Sequence, residues 1–191
     1  MTVATVELFY GLLALVAFGA VAVLNGLRVL ARLSVGDRET WHAVARAITP
    51  NALGMAWFVA VLATAGSLYF SEVANFEPCT LCWYQRIAMY PLVLILAITA
   101  ARRERSGAVY AAALAAMGAS ISLYHVVLEW FPSLESGACD PDNPCTVIWF
   151  RVFGFISLPT LALAAFLLIL TLTTIRATDD QDAGATPRRT S

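Results

Sequence analysis

Five stretches of this chain, residues 6–27, 52–70, 83–101, 108–131 and 152–175, are apolar almost throughout. Each is long enough to cross about 30 Å of hydrocarbon as a helix. In lipid a spanning segment must satisfy its own backbone hydrogen bonds, so the stretches predict an all-α, polytopic membrane protein. Only 13% of the residues are charged, against roughly 25% in the coat of a soluble domain. The first stretch is read as a retained helix, because Glu7 rather than a basic segment precedes it and its apolar run is longer than the core of a secretory signal. A formal net charge of -1 supplies no concentrated basic face, which argues against a nucleic-acid partner.

Arginine placement predicts orientation, since basic residues are held on the cytoplasmic side of a membrane. Arg28, Arg32, Arg38 and Arg46 lie between the first two spans, Arg102, Arg103 and Arg105 between the third and fourth, and Arg176, Arg188 and Arg189 after the fifth. The opposite loops, 71–82 and 132–149, carry Glu72, Glu77, Glu135, Asp140 and Asp142 but no arginine. The expected arrangement is a multi-pass protein of the cell (plasma) membrane with its N-terminus outside and its C-terminus cytoplasmic. Arg86 and Arg151 remain, just inside the outer ends of spans three and five. Trp41, Val44 and Ile48 recur at helical spacing within 37–48, which fits an amphipathic helix on the inner membrane face or a solvated connector. Ala112, Ala115, Gly118 and Ala119 give span four a small-residue face for close packing. The polar segment from Ala177 is expected to be disordered.

The four cysteines all fall in outside loops, as two local pairs, Cys79 with Cys82 and Cys139 with Cys145. Inert thiols in an apolar protein would scatter through its helices, because free cysteine behaves as a small hydrophobe. Two paired sets on the side where disulfides persist point instead to thiol–disulfide exchange. Two alternatives stand beside that reading: a pair of loop-stapling disulfides, and a tetrahedral four-thiolate metal site, which the spacing of the second pair fits poorly. Cys79 and Cys82 directly precede a helix, where free N–H groups and the dipole lower a thiol pKa. Arg86 follows Cys82 by one turn on the same face, placing a fixed positive charge near any thiolate. It is suited to hold the polar head of a lipid-soluble cofactor, although an interfacial arginine can also merely snorkel. The Cys139–Cys145 loop, rich in Pro, Asp and Asn, is expected to be turned and mobile. Arg151 is expected to snorkel, and Glu129 to pair with it or face water.

The run Cys79-Thr80-Leu81-Cys82-Trp83-Tyr84-Gln85-Arg86, followed by Ile87-Ala88-Met89-Tyr90-Pro91-Leu92, closely resembles the signature of the bacterial disulfide bond formation protein B family (DsbB), especially its BdbC-like branch. Ser122-Leu123-Tyr124-His125, Asn143-Pro144-Cys145 and Gly154-Phe155-Ile156-Ser157-Leu158-Pro159 add weaker matches, and the resemblance covers roughly 52–175. It implies a four-helix transmembrane bundle, here 52–176. Before it come an additional N-terminal transmembrane helix and amphipathic connector, 1–51, whose role the family does not supply. A cytoplasmic tail, 177–191, follows.

The resemblance further implies a thiol oxidase that reoxidises an extracytoplasmic thioredoxin-fold (DsbA-like) thiol oxidoreductase and passes the electrons to a membrane quinone, ubiquinone or menaquinone. By matching position, Cys82 would touch the quinone, with Cys79 as its partner. Cys139 would form the mixed disulfide with the external protein, and Cys145 would relay to Cys79. Arg86 would bind a quinone carbonyl. His125 would either line the quinone pocket or serve as a hydrogen-bonded structural residue. The energetics are coherent: a dithiol is oxidised only by a more positive acceptor, and a quinone dissolved in the bilayer is such a sink. A transmembrane conduit carrying reducing equivalents outward is the main rival, and it would need cysteines within spans or facing the cytoplasm. A structural or metal-binding membrane protein is the other.

Overall fold

The computed structural model describes residues 2–102, 106–135 and 137–184. Six helices follow in order: α1 (Val3–Leu33), α2 (Val35–Ile48), α3 (Ala52–Leu68), α4 (Thr80–Arg102), α5 (Ser106–Trp130) and α6 (Leu158–Gly184). A 3-10 turn at Thr49–Asn51, with Pro50 inside it, joins α2 to α3, and α3 runs on into a π-helical turn, Tyr69–Val73. Among the described residues, five helical segments are long and apolar enough to cross a membrane: Val3–Leu33, Gly36–Val73, Thr80–Arg102, Gly107–Trp130 and Leu158–Ile175. The chain is a multi-pass, all-α membrane protein.

Helices α3 to α6 close a four-membered ring in which each packs against the next and α6 returns to α3. Small residues make this possible. Ala56, Ala60, Ala88, Ala111 and Ala115 are all fully buried beside Leu92, Leu96 and Phe166. Lipid tails are as apolar as leucine, so close packing rather than escape from water holds such helices together. Gly118 is the tightest point: a Cβ added there would lie 2.2 Å from the Phe166 ring, whose side chain is fully buried. Gly118→Ala is therefore expected to destabilise the bundle by about 1–3 kcal/mol through overpacking, read as a lowered Tm in detergent. An unchanged Tm would show that α5 and α6 can move apart at no cost.

Outside the ring, α1 packs along α6 and α2 folds back along α1. The expected amphipathic segment is a helix throughout, with Ala45 buried, Trp41, Val44 and Ile48 half-buried, and Glu39, His42 and Arg46 exposed. Several boundaries differ from the sequence expectation: α1 runs on to Leu33, and α4 starts at Thr80, which puts Cys82 inside its first turn and not in the preceding loop. The last helix begins at Leu158, not at 152, because Phe153 (φ 55°) and Gly154 (φ 80°) take left-handed conformations. The Val152 and Ile156 backbones pair across that turn. At its other end α6 continues to Gly184, past Ala177, because propagating a helix that is already nucleated costs little. Residues 185–191, with Arg188 and Arg189, lie outside the described residues, as do Arg103 and Arg105.

Candidate functional site

All four cysteines gather at one end of the bundle. Cys79 stands at the N-cap of α4, and its sulfur accepts the backbone N–H of Cys82 at 3.3 Å, as a capping serine oxygen would. The two sulfurs also share a hydrogen bond at 2.9 Å, in which Cys82 is the donor once Cys79 is a thiolate. That bond lowers the Cys79 thiol well below its ordinary value, to about 4; burial pushes the other way, and His125 lowers it further. Cys139 and Cys145 form a disulfide while Cys79 and Cys82 are free thiols, so the two pairs differ in redox state. Cys79, Cys139 and Cys145 share one buried cluster with Leu81 and Leu128.

His125 joins the two pairs. The Gln85 amide donates to Nδ1 at 3.3 Å, which assigns the proton to Nε2. That nitrogen donates to the Cys145 carbonyl at 3.0 Å and stands 3.8 Å from Cys79 Sγ. The ring is 2% exposed and is not among the residues bordering the large cavity described below. His125 thus stands as a hydrogen-bonded residue between the two sulfur pairs, with its Nε2 held toward the loop by the Cys145 carbonyl. A second clasp comes from Asn143, whose side-chain amide donates to the Pro78 carbonyl at 3.2 Å. The loop expected to be mobile is therefore docked on both sides of Cys79.

On the other side of the pair lies a cavity of about 290 Å³ bordered by Cys82, Gln85, Arg86 and Met89 of α4. The guanidinium of Arg86 does not snorkel freely. Its Nε donates to Ser67 Oγ at 3.0 Å and its Nη2 to the Ser67 carbonyl at 3.2 Å, and it lies 5.1 Å from the Trp83 ring centre. The same end is roofed by stacked rings, Phe70 on Phe76 and Phe76 on Trp149. Cys82 therefore borders the cavity as well as the cluster of the loop disulfide, and Cys79 only the latter.

Of Glu129 and Arg151, left out of the site on sequence grounds, Glu129 does not face water and lies near enough to the half-exposed Arg151 to feel its charge. Glu129 is buried and accepts a hydrogen bond from Ser157. The Arg151 guanidinium lies over Trp130, 4.4 Å from its ring centre, and its Nε and Nη2 find no hydrogen-bond partner among the described residues. Sequence reasoning missed Ser67, Gln85 and Asn143. Gln85 and Asn143 lie inside quoted motifs and could have been singled out. Ser67 has no local signal, since it reaches Arg86 from another helix.

The family model for disulfide bond formation protein DsbB matches residues 49–175, which leaves α1 and α2 outside. The chain is 45% identical to a probable disulfide formation protein of Oceanobacillus iheyensis over 124 residues, 64% of this chain and 86% of the relative. To a probable disulfide formation protein C 1 of Bacillus anthracis it is 47% identical over 119 residues, 62% and 86% of the two chains. To the disulfide bond formation protein C of Bacillus subtilis it is 46% identical over 115 residues, 60% and 83%. No solved structure matches the chain at a significant level.

Proposed function

This chain belongs to the DsbB family of disulfide bond formation proteins, and from that premise we propose that it is a quinone-dependent thiol oxidase serving an extracytoplasmic thioredoxin-fold partner. The observation that carries the reading is that one Cys-X-X-Cys links two surroundings: Cys79 is buried in one cluster with the loop disulfide, while Cys82 packs against that cluster and also borders the cavity beside Arg86. In this reading the protein lies in the plasma membrane with its N-terminus outside and its C-terminus cytoplasmic, as the arginine distribution favours.

The residues divide the work as follows. A thiolate of the reduced partner attacks Cys139 and forms a mixed disulfide, releasing Cys145 as a thiolate; the partner's second thiolate resolves it and releases Cys139. The loop dithiol then reduces a Cys79–Cys82 disulfide, with Cys145 attacking Cys79 and Cys139 closing back on Cys145. The loop disulfide is restored, and the electron pair rests on Cys79 and Cys82. His125 and Asn143 hold the loop where this exchange is intramolecular. The cavity suits a quinone in having a long apolar wall and one polar end formed by Arg86, Gln85 and Cys82. Bound there, a ubiquinone or menaquinone would supply a two-electron oxidant for the Cys79 and Cys82 thiols. Arg86, fixed by Ser67, places positive charge where negative charge accumulates on sulfur and on a carbonyl oxygen.

Anaerobic quinone reduction, driven by a reduced thioredoxin-fold oxidoreductase, tests this. Arg86→Ala is expected to raise the KM for quinone about tenfold or more, the equivalent of one charged hydrogen bond. Unchanged quinone kinetics in that variant would remove the role given to Arg86, and failure of the wild type to reduce any quinone would remove the function. An outward reductant conduit is disfavoured because both sulfur pairs sit at a single end of the bundle.

A further inference from the structure

We infer that α1, the helix outside the family match, forms with α3 a lateral groove that takes the hydrocarbon tail of the quinone; this rests on the quinone reading above. The cavity holding Cys82 and Arg86 is not confined to the polar end. It follows α6 from Leu158 to Leu168, about 15 Å of helix, and its far part is apolar. Leu13, Ala14 and Ala17 of α1 form part of this wall, although the residues that match the family begin only at 49.

The groove exists because of how α1 is seated. Small buried residues, Ala14 and Ala17, press α1 onto α6, whereas toward α3 the helix is joined through Tyr10. Its hydroxyl donates to the Leu62 carbonyl at 3.2 Å, and its ring occupies the place of a side chain at Gly66, 2.6 Å from where a Cβ would stand. Tyr10 closes the groove near the cysteine end. Further along, Val16 of α1 and Phe58 of α3 border the cavity while 69% and 57% exposed, so the mouth opens sideways near the middle of both helices. A ligand that is polar at one end and apolar along its length fits such a slot, and a lipid-soluble one can enter it without leaving the hydrocarbon. Continuity with Cys82 and Arg86 favours the tail of the ring bound there over an unrelated acyl chain.

Photolabelling of the full-length protein in nanodiscs tests this, with two quinone probes, one carrying a diazirine on the ring and one at the end of an isoprenoid tail. The ring probe is expected to label α4 around Cys82 and Arg86, and the tail probe α1 around Leu13 to Ala17 together with α3 near Phe58. Leu13→Trp, which narrows the groove, should raise the Kd of a tailed quinone about tenfold relative to that of a tailless one on the same variant, the size of an overpacking penalty. Ala17→Leu, a smaller intrusion, should move that ratio in the same direction. Ring labelling of α4 with tail labelling spread over α5, or with phospholipid retained against α1 and the tail excluded, overturns the inference and leaves the quinone reading standing. Absence of labelling by both probes, with no quinone bound, overturns both.

Discussion

Serine at Cys82 is expected to abolish turnover, with residual quinone reduction below about a thousandth of wild type, because exchange requires a sulfur at each position of the relay. Cys79→Ser should be equally inactive, yet the two variants should fail differently under thiol trapping. Without Cys82, Cys79 keeps its cap and its place against the loop, so a disulfide between Cys79 and a loop cysteine should accumulate. Without Cys79, that link cannot form, and Cys82 should remain a free thiol. Trapping with a mass-shifting reagent followed by peptide mapping distinguishes these outcomes. Turnover by either serine variant above about one per cent would mean that electrons reach the acceptor by another path.

The reduced protein should also alkylate at Cys79 with an unusual pH profile. An ordinary thiol with a pKa near 9 has only about one part in a thousand of reactive thiolate at pH 6 and gains tenfold per pH unit. Cys79, lowered to about 4 chiefly by the Cys82 thiol that donates to it, is a thiolate across that range. Its alkylation rate should be level between about pH 8 and 5 and fall tenfold per unit below about 4. The displacement also stabilises the reduced fold. A lowered pKa contributes in full above the ordinary thiol value and is progressively lost as pH falls toward the folded one. A rate that keeps climbing toward pH 9 would show that Cys82 does not donate to Cys79.

Much of this architecture is written in local pattern. The apolar stretches mark the crossing helices, Cys79 and Cys82 sit where a helix start was expected, and the spacing of Trp41, Val44 and Ile48 marks α2. What could not be read depends on contacts between distant segments, which leave no periodic trace. Arg86 lies one turn beyond Cys82, as its spacing predicts, but its tether to Ser67 comes from nineteen residues away on another helix. His125 was one lone histidine near a helix end, and only the fold shows that Gln85 and the Cys145 carbonyl fix both of its nitrogens. The late start of α6 depends on left-handed residues, one of them Phe153, which sequence gives no reason to place there.

The grip on the disulfide loop is largely on main chain: His125 takes the Cys145 carbonyl, and Asn143 reaches the Pro78 carbonyl. Asp140 and Asp142, between the half-cystines, point to solvent. Such a segment behaves as an interchangeable cartridge, whose outward residues can diverge to suit a different client without disturbing the latch beneath.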